Sequence, residues 1–103
     1  MSNTIKVIDD LRIKYLINCM EDPKLNVWHL AIIIAIVSLG YMQGQRRRIK
    51  VSRSRIMMLS HINTLPTYHK YFKELQNLGY IKYTPSYHPE CRSEVELIYK
   101  RLS

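Results

Sequence analysis

The sequence predicts a mainly α domain with a small β-hairpin, preceded by an N-terminal amphipathic helix. Apolar residues recur at three- and four-residue steps through most of the chain, whereas period-two alternation is confined to short stretches within 49–51 and 80–99. The 103 residues, 47% hydrophobic and 23% charged, suit one domain with a real core and exclude a disordered chain. Residues 1–22 are read as the N-terminal helix and dimerisation arm, and residues 23–103 as the main domain.

Ile5, Ile8, Leu11, Tyr15, Leu16 and Cys19 make the apolar stripe of a first helix of about four turns. Asp22-Pro23 ends it, because the residue before proline avoids the α region. From Val27 to Val37 the only polar residue is His29, and the pattern continues through Leu39 to Met42. A helix apolar on most faces is the buried central helix of a small domain. Interrupted by His29, Ser38 and Gly40, it falls short of the roughly 20 apolar residues of a membrane span. Gly44 and the arginines form a solvated loop, and Ile49-Lys50-Val51 a brief strand. Ser52 caps a short helix over 53–60 with Ile56 and Leu59 inward, and 61–63 is a turn. Asn63 or Thr64 caps the next helix, whose first turn accepts Pro66. Its apolar stripe is Leu65, Tyr68, Phe72 and Leu75, with Thr67, Lys70, Tyr71 and Lys73 or Glu74 opposite, and Gly79 stops it as a left-handed cap. Residues 80–83 and 94–99 alternate as the two strands of a hairpin, apolar residues in and acids out, around a long turn with two prolines.

Sixteen Lys and Arg against eight Asp and Glu leave a formal charge of +8. In residues 1–40, Lys6, Arg12, Lys14 and Lys24 balance Asp9, Asp10, Glu21 and Asp22. In residues 74–103, Lys82, Arg92, Lys100 and Arg101 balance Glu74, Glu90, Glu94 and Glu96. The whole excess falls in residues 41–73, which hold Arg46, Arg47, Arg48, Lys50, Arg53, Arg55, Lys70 and Lys73 and no acid. An acid-free third of a folded domain repels itself unless an anion relieves it, so a polyanion is the expected partner. This reading requires those side chains to share one side of the fold, beside an exposed helix. Cys19 and Cys91 are too few for a disulfide framework and read as reduced thiols of a cytoplasmic protein. The first ten residues lack the features of a secretory signal.

From Ser52 onward the order is short helix, turn, capped helix, glycine, strand, long polar turn, strand. Residues 49–99 thereby resemble the winged helix-turn-helix domain of bacterial transcription regulators. The resemblance is carried by 49–52 as first strand and cap, by 67–75 as recognition helix, and by Leu-x-x-Leu-Gly-Tyr-Ile at 75–81 as the helix-to-wing junction. The turn at 83–89, followed by Ser93, is similar to wings of small regulators carried on bacterial mobile elements. It implies a sequence-specific regulator of transcription that binds double-stranded DNA, with the recognition helix in the major groove. By that resemblance Arg46, Arg47, Arg48, Lys50, Arg53, Arg55 and Lys73 meet phosphates, with Ser52 at the cap beside them. Thr64, Thr67, Lys70 and Tyr71 reach base edges, and Tyr87, His88 and Arg92 at the wing tip lie along the backbone or probe the minor groove. The alternative keeps the fold but makes the chain a DNA-bending accessory for excision, recombination or replication. The surplus apolar surface of residues 5–42 implies a homodimer.

No enzyme, cofactor, metal or small-molecule ligand is expected. His88 and Cys91 offer two zinc ligands where a structural site needs four, and Cys19 and His29 read as satisfied core residues. His61 and His69 lack a neighbouring nucleophile and an orienting acid, and Gly40, Gly44 and Gly79 are too scattered for a phosphate loop.

Overall fold

In the computed structural model, which describes residues 10–88 and 92–99, four helices surround one face of a three-stranded antiparallel sheet. In chain order the elements are α1 (Asp10–Glu21), α2 (Val27–Gln43), β1 (Arg48–Val51), α3 (Arg53–Ser60), α4 (Leu65–Asn77), β2 (Ile81–Thr84) and β3 (Ser93–Leu97). The expected mainly helical fold with a C-terminal hairpin is therefore present, and β1 makes the hairpin a three-stranded sheet. Ile5 and Ile8 lie outside the described residues.

The central helix α2 is buried along Ile32, Ile33 and Ile36. Its start is fixed reciprocally: Asn26 Oδ1 accepts the backbone N–H of Trp28 (2.9 Å) and of His29 (3.3 Å), while His29 Nδ1 accepts the N–H of Asn26 (2.9 Å). Histidine here takes the place that Glu or Gln fills in the usual capping box. Gly44, at φ 69°, closes the helix in the left-handed conformation, and the N–H of Gln45 returns to the carbonyl of Gly40 (2.8 Å).

Strand order is β1-β3-β2, with Ile49 opposite Val95 and Ile81 opposite Leu97. These residues and Val51 turn inward against α2, Ile56, Phe72 and Leu75. On the free edge of β1, the Gln43 side chain accepts from Lys50 N (3.0 Å) and donates to its carbonyl (2.8 Å). The outward backbone groups of Lys50, which would invite another strand, are thereby occupied.

α1 is tied to the end of the sheet where β3 finishes. The Tyr15 hydroxyl donates to the Tyr80 carbonyl (2.8 Å), and its ring meets Tyr80 and Tyr99 edge-on. The Tyr80 hydroxyl donates to Asp22 Oδ2 (2.5 Å). Tyr80, expected to begin a strand, instead forms this turn, and β2 starts one residue later. Cys19 is buried, and burial, reinforced by the Asp22 charge, pushes its thiol up to about 12. Among the described residues, no helix is long and apolar enough to cross a membrane.

Candidate nucleic-acid interface

α3 and α4 are joined by four residues, 61–64, and this turn has its own anchor in Ile62, buried in the core. Ser52 caps α3 as expected, its Oγ accepting the N–H of Arg55 (3.3 Å). α4 begins after Thr64, but the Thr64 side chain makes no cap bond. Its hydroxyl donates instead to the Thr67 hydroxyl (2.8 Å). The reason lies in Pro66: a cap oxygen binds the second or third N–H of a helix, and proline removes one of the two.

α4 packs through Tyr68, Phe72 and Leu75. Phe72 stacks on Tyr68 and meets Tyr83 of β2 edge-on. Leu65, expected on this stripe, is exposed at the helix start. The side away from the core presents Thr64, Lys70 and Lys73, with Thr67 half-buried at its margin. Arg53 and Arg55 project from the first turn of α3, and both are exposed. Among the described residues, none of Arg53, Arg55, Lys70 and Lys73 joins an ion pair.

Tyr71, expected at base edges, is engaged within the fold. It lies half-buried against the start of α2, stacked on Trp28 (centroids 6.2 Å apart, planes 18° apart) and edge-on to His29 (4.9 Å). Glu74, one turn on, accepts from His29 Nε2 (2.7 Å). Because Nδ1 already accepts the Asn26 N–H, the neutral ring carries its proton on Nε2 and donates to Glu74. Tyr71 and Glu74 therefore dock α4 on α2 and do not belong to its outer side. His29, read as a satisfied core residue, is one. Trp28 gives no signal in the sequence because it begins an otherwise aliphatic run.

The structure also divides the cationic segment. Val51 pairs with Ser93, so the turn between β2 and β3 and the start of α3 share one end of the sheet. Arg46, Arg47 and Arg48 stand at the other end, about 13 Å away at 3.3 Å per residue. Arg47 Nε lies there 3.7 Å from Glu96, while Glu94, next to Ser93, is approached by Arg48 Nε (3.9 Å) and by Nζ of its register partner Lys50 (3.6 Å). The Arg46 carbonyl accepts the Tyr99 hydroxyl. Glu94 and Glu96, expected to point into solvent, are half-buried among these cations. Antiparallel pairing puts acids more than forty residues away in sequence directly opposite β1. The segment's charges are thus not gathered on one side: four cations flank the two-helix unit, and four line or adjoin the outer sheet face.

At the hairpin turn, Tyr87 is 92% exposed, and His88 and Arg92 are also exposed. Ser93 Oγ gathers the turn, accepting from Tyr83 Oη and from the N–H of Ser86 (both 3.2 Å). Cys91 lies outside the described residues. Among the described residues, no group of three or more metal-ligating side chains occurs.

Comparison with known protein families, with characterised proteins and with solved structures finds no match to this chain.

Proposed function

We propose that the chain is a winged helix-turn-helix protein that binds double-stranded DNA in a sequence-specific manner and regulates transcription. The observation that carries this reading is the placement of α4. It follows a four-residue turn, packs one side on the core, and leaves Thr64, Lys70 and Lys73 exposed, while its Phe72 meets Tyr83 of the strand that leads into the exposed hairpin turn. A helix so presented fits the major groove, with its first turn at base edges and the hairpin turn along the backbone. Thr64 and Thr67 stand where bases would be read, and Arg53, Arg55 and Lys73 where phosphates would be met. The requirement that all eight cations share one side is not met: Arg47, Arg48 and Lys50 pair with Glu94 and Glu96. The reading therefore rests on the exposed α4 and on Arg53, Arg55, Lys70 and Lys73 alone, and is narrower than the sequence implied.

The protein acts as a homodimer. Ile13, Leu16, Ile17 and Met20 form one stripe of α1, and Val27, Ile34 and Tyr41 recur every seven residues on α2. Ile13 and Leu16 meet Val37, Ser38, Tyr41 and Met42 around an open apolar groove of about 390 Å³. The exposed apolar residues of the two helices offer on the order of 800 Å², which is what each partner of a standard interface contributes. Residues 1–40 carry no net charge, so two copies of a +8 chain can meet there without repulsion.

The test is selection of bound duplexes from a randomised pool, followed by affinity measurement for Thr64→Ala and Thr67→Ala. Enrichment of a recurring half-site, with preference relaxed in the variants, is the expected result. Retention of no duplex at about 50 mM salt, where electrostatic binding is strong, overturns the reading. Sedimentation of the protein alone tests the dimer: Ile34→Glu should yield monomer, and a monomeric parent at micromolar concentration refutes self-association.

A further inference from the structure

Beside the start of α4 lies an open cleft of about 290 Å³ lined by Trp28, Pro66, Thr67, Lys70 and Tyr71. Trp28 is the second residue of α2 and the chain's single tryptophan. It is held from both sides. Its N–H is fixed by Asn26, and its ring is backed by Tyr71. Even so, the residue is 41% exposed. Lys70, also lining the cleft, holds its ammonium 5.2 Å from the Tyr71 ring centroid. That contact is a cation–π geometry, and it aims Lys70 toward α2 instead of straight out along α4. No acid lines the cleft, and Glu74, the nearest acid on α4, is occupied by His29. The cleft therefore combines a rigid aromatic wall, the proline ring and a pre-positioned cation.

We infer that this cleft seats a deoxyribose–phosphate unit of the DNA strand bordering the groove that α4 enters, with Trp28 and Pro66 against the sugar and Lys70 on the phosphate. The inference rests on the DNA-binding reading and reassigns two residues within it. Lys70 becomes a phosphate contact instead of a base reader, and Trp28 joins the interface from a helix outside the two-helix unit. Duplex DNA is the occupant because its bases are paired and stacked, so a surface beside the groove meets sugars and phosphates. The cationic helices α3 and α4 supply the complementary charge.

Trp28 reports on its own cleft. Its emission, followed as a duplex of about two helical turns is added to the full chain, should change and saturate over the range in which a labelled duplex becomes bound. Trp28→Ala should weaken binding of every duplex about tenfold without altering the salt dependence, since apolar contact area is lost but no phosphate partner. Trp28→Phe, which keeps a ring against Tyr71, should lose less and guards against misfolding. Lys70→Ala should also weaken all sequences alike, but should lower the slope of log K against log salt by about 0.9. Unchanged emission while the labelled duplex binds overturns the inference and leaves the DNA-binding reading standing. A larger change with single-stranded DNA than with duplex overturns it in favour of base stacking. If no duplex binds at all, the DNA-binding reading fails, and this inference fails with it.

Discussion

Gly40 lies where α2 passes closest to β1, and giving it a side chain tests how that approach positions the sheet. A Cβ at Gly40 would sit 2.7 Å from the Gln45 carbonyl oxygen and 2.7 Å from Ile49 Cδ1, with Ile49 Cγ1 at 3.0 Å. The first is a backbone atom in the turn that closes α2, and the second belongs to a fully buried side chain. Neither withdraws cheaply. Overpacking costs about 1–3 kcal/mol, and two contacts at 2.7 Å, one of them to backbone, put this case at about 2–3 kcal/mol, offset by about 1 kcal/mol of helix propensity gained over glycine. Gly40→Ala should therefore lose on the order of 1–2 kcal/mol. For a domain of this size that loss is about 5–10 °C in Tm, visible in thermal or urea unfolding followed by circular dichroism. Gly40→Ala combined with Ile49→Val should be less destabilised than the two losses added, because the truncation removes Cδ1. The Gln45 clash persists, so recovery should be partial. A Gly40→Ala protein as stable as the parent would refute the close approach of α2 to β1.

A Cβ at Gly44 would meet nothing within 4 Å, but the residue sits at φ 69°. Gly44→Ala should therefore cost about 1 kcal/mol through backbone conformation alone, with no rescue by Ile49→Val. The Tyr80 hydroxyl, and then the Lys24 N–H, hold the Asp22 carboxyl below the usual carboxylate range. A depressed carboxylate stabilises the fold above its unfolded pKa of about 3.9, and the contribution disappears as pH falls through the folded value. Tyr80→Phe should thus lose stability at neutral pH, and the gap to the parent should narrow below about pH 4 in urea titrations. In a Cys91→Ser background, Cys19 should resist alkylation at about pH 8 until urea unfolds the chain; labelling of the native protein would contradict its burial and raised thiol. Arg53→Ala, Arg55→Ala and Lys73→Ala should each lower the salt slope of DNA binding by about 0.9, whereas Arg47→Ala and Arg48→Ala should barely change it. The reverse pattern would move the interface to the sheet.

Local chemistry made the elements legible. Asp22-Pro23, Gly44, Ser52, Pro66 and Gly79 bound the helices and turns within a residue or two, because each acts on its own backbone. The stripe of Tyr68, Phe72 and Leu75 and the buried run of α2 followed from periodicity in the same way, whereas Leu65, which the same periodicity turns inward, is exposed because it precedes the first packed turn of α4. What escaped were pairings across distance. Nothing near Arg47 or Arg48 in sequence foretells Glu94 and Glu96, which meet them only through the β1–β3 register. Likewise, Tyr71 has the spacing of an outward residue on α4, and Trp28 and His29 claim it from α2. The sequence by itself determined the elements of the described residues, roughly where they stop, and that the chain's net charge is strongly positive, because capping, proline geometry and residue charge are properties of a few consecutive residues. Only the tertiary structure decided which of those charges remain unpaired and which aromatic side chains face outward, because that depends on what the packing of distant elements sets beside each one.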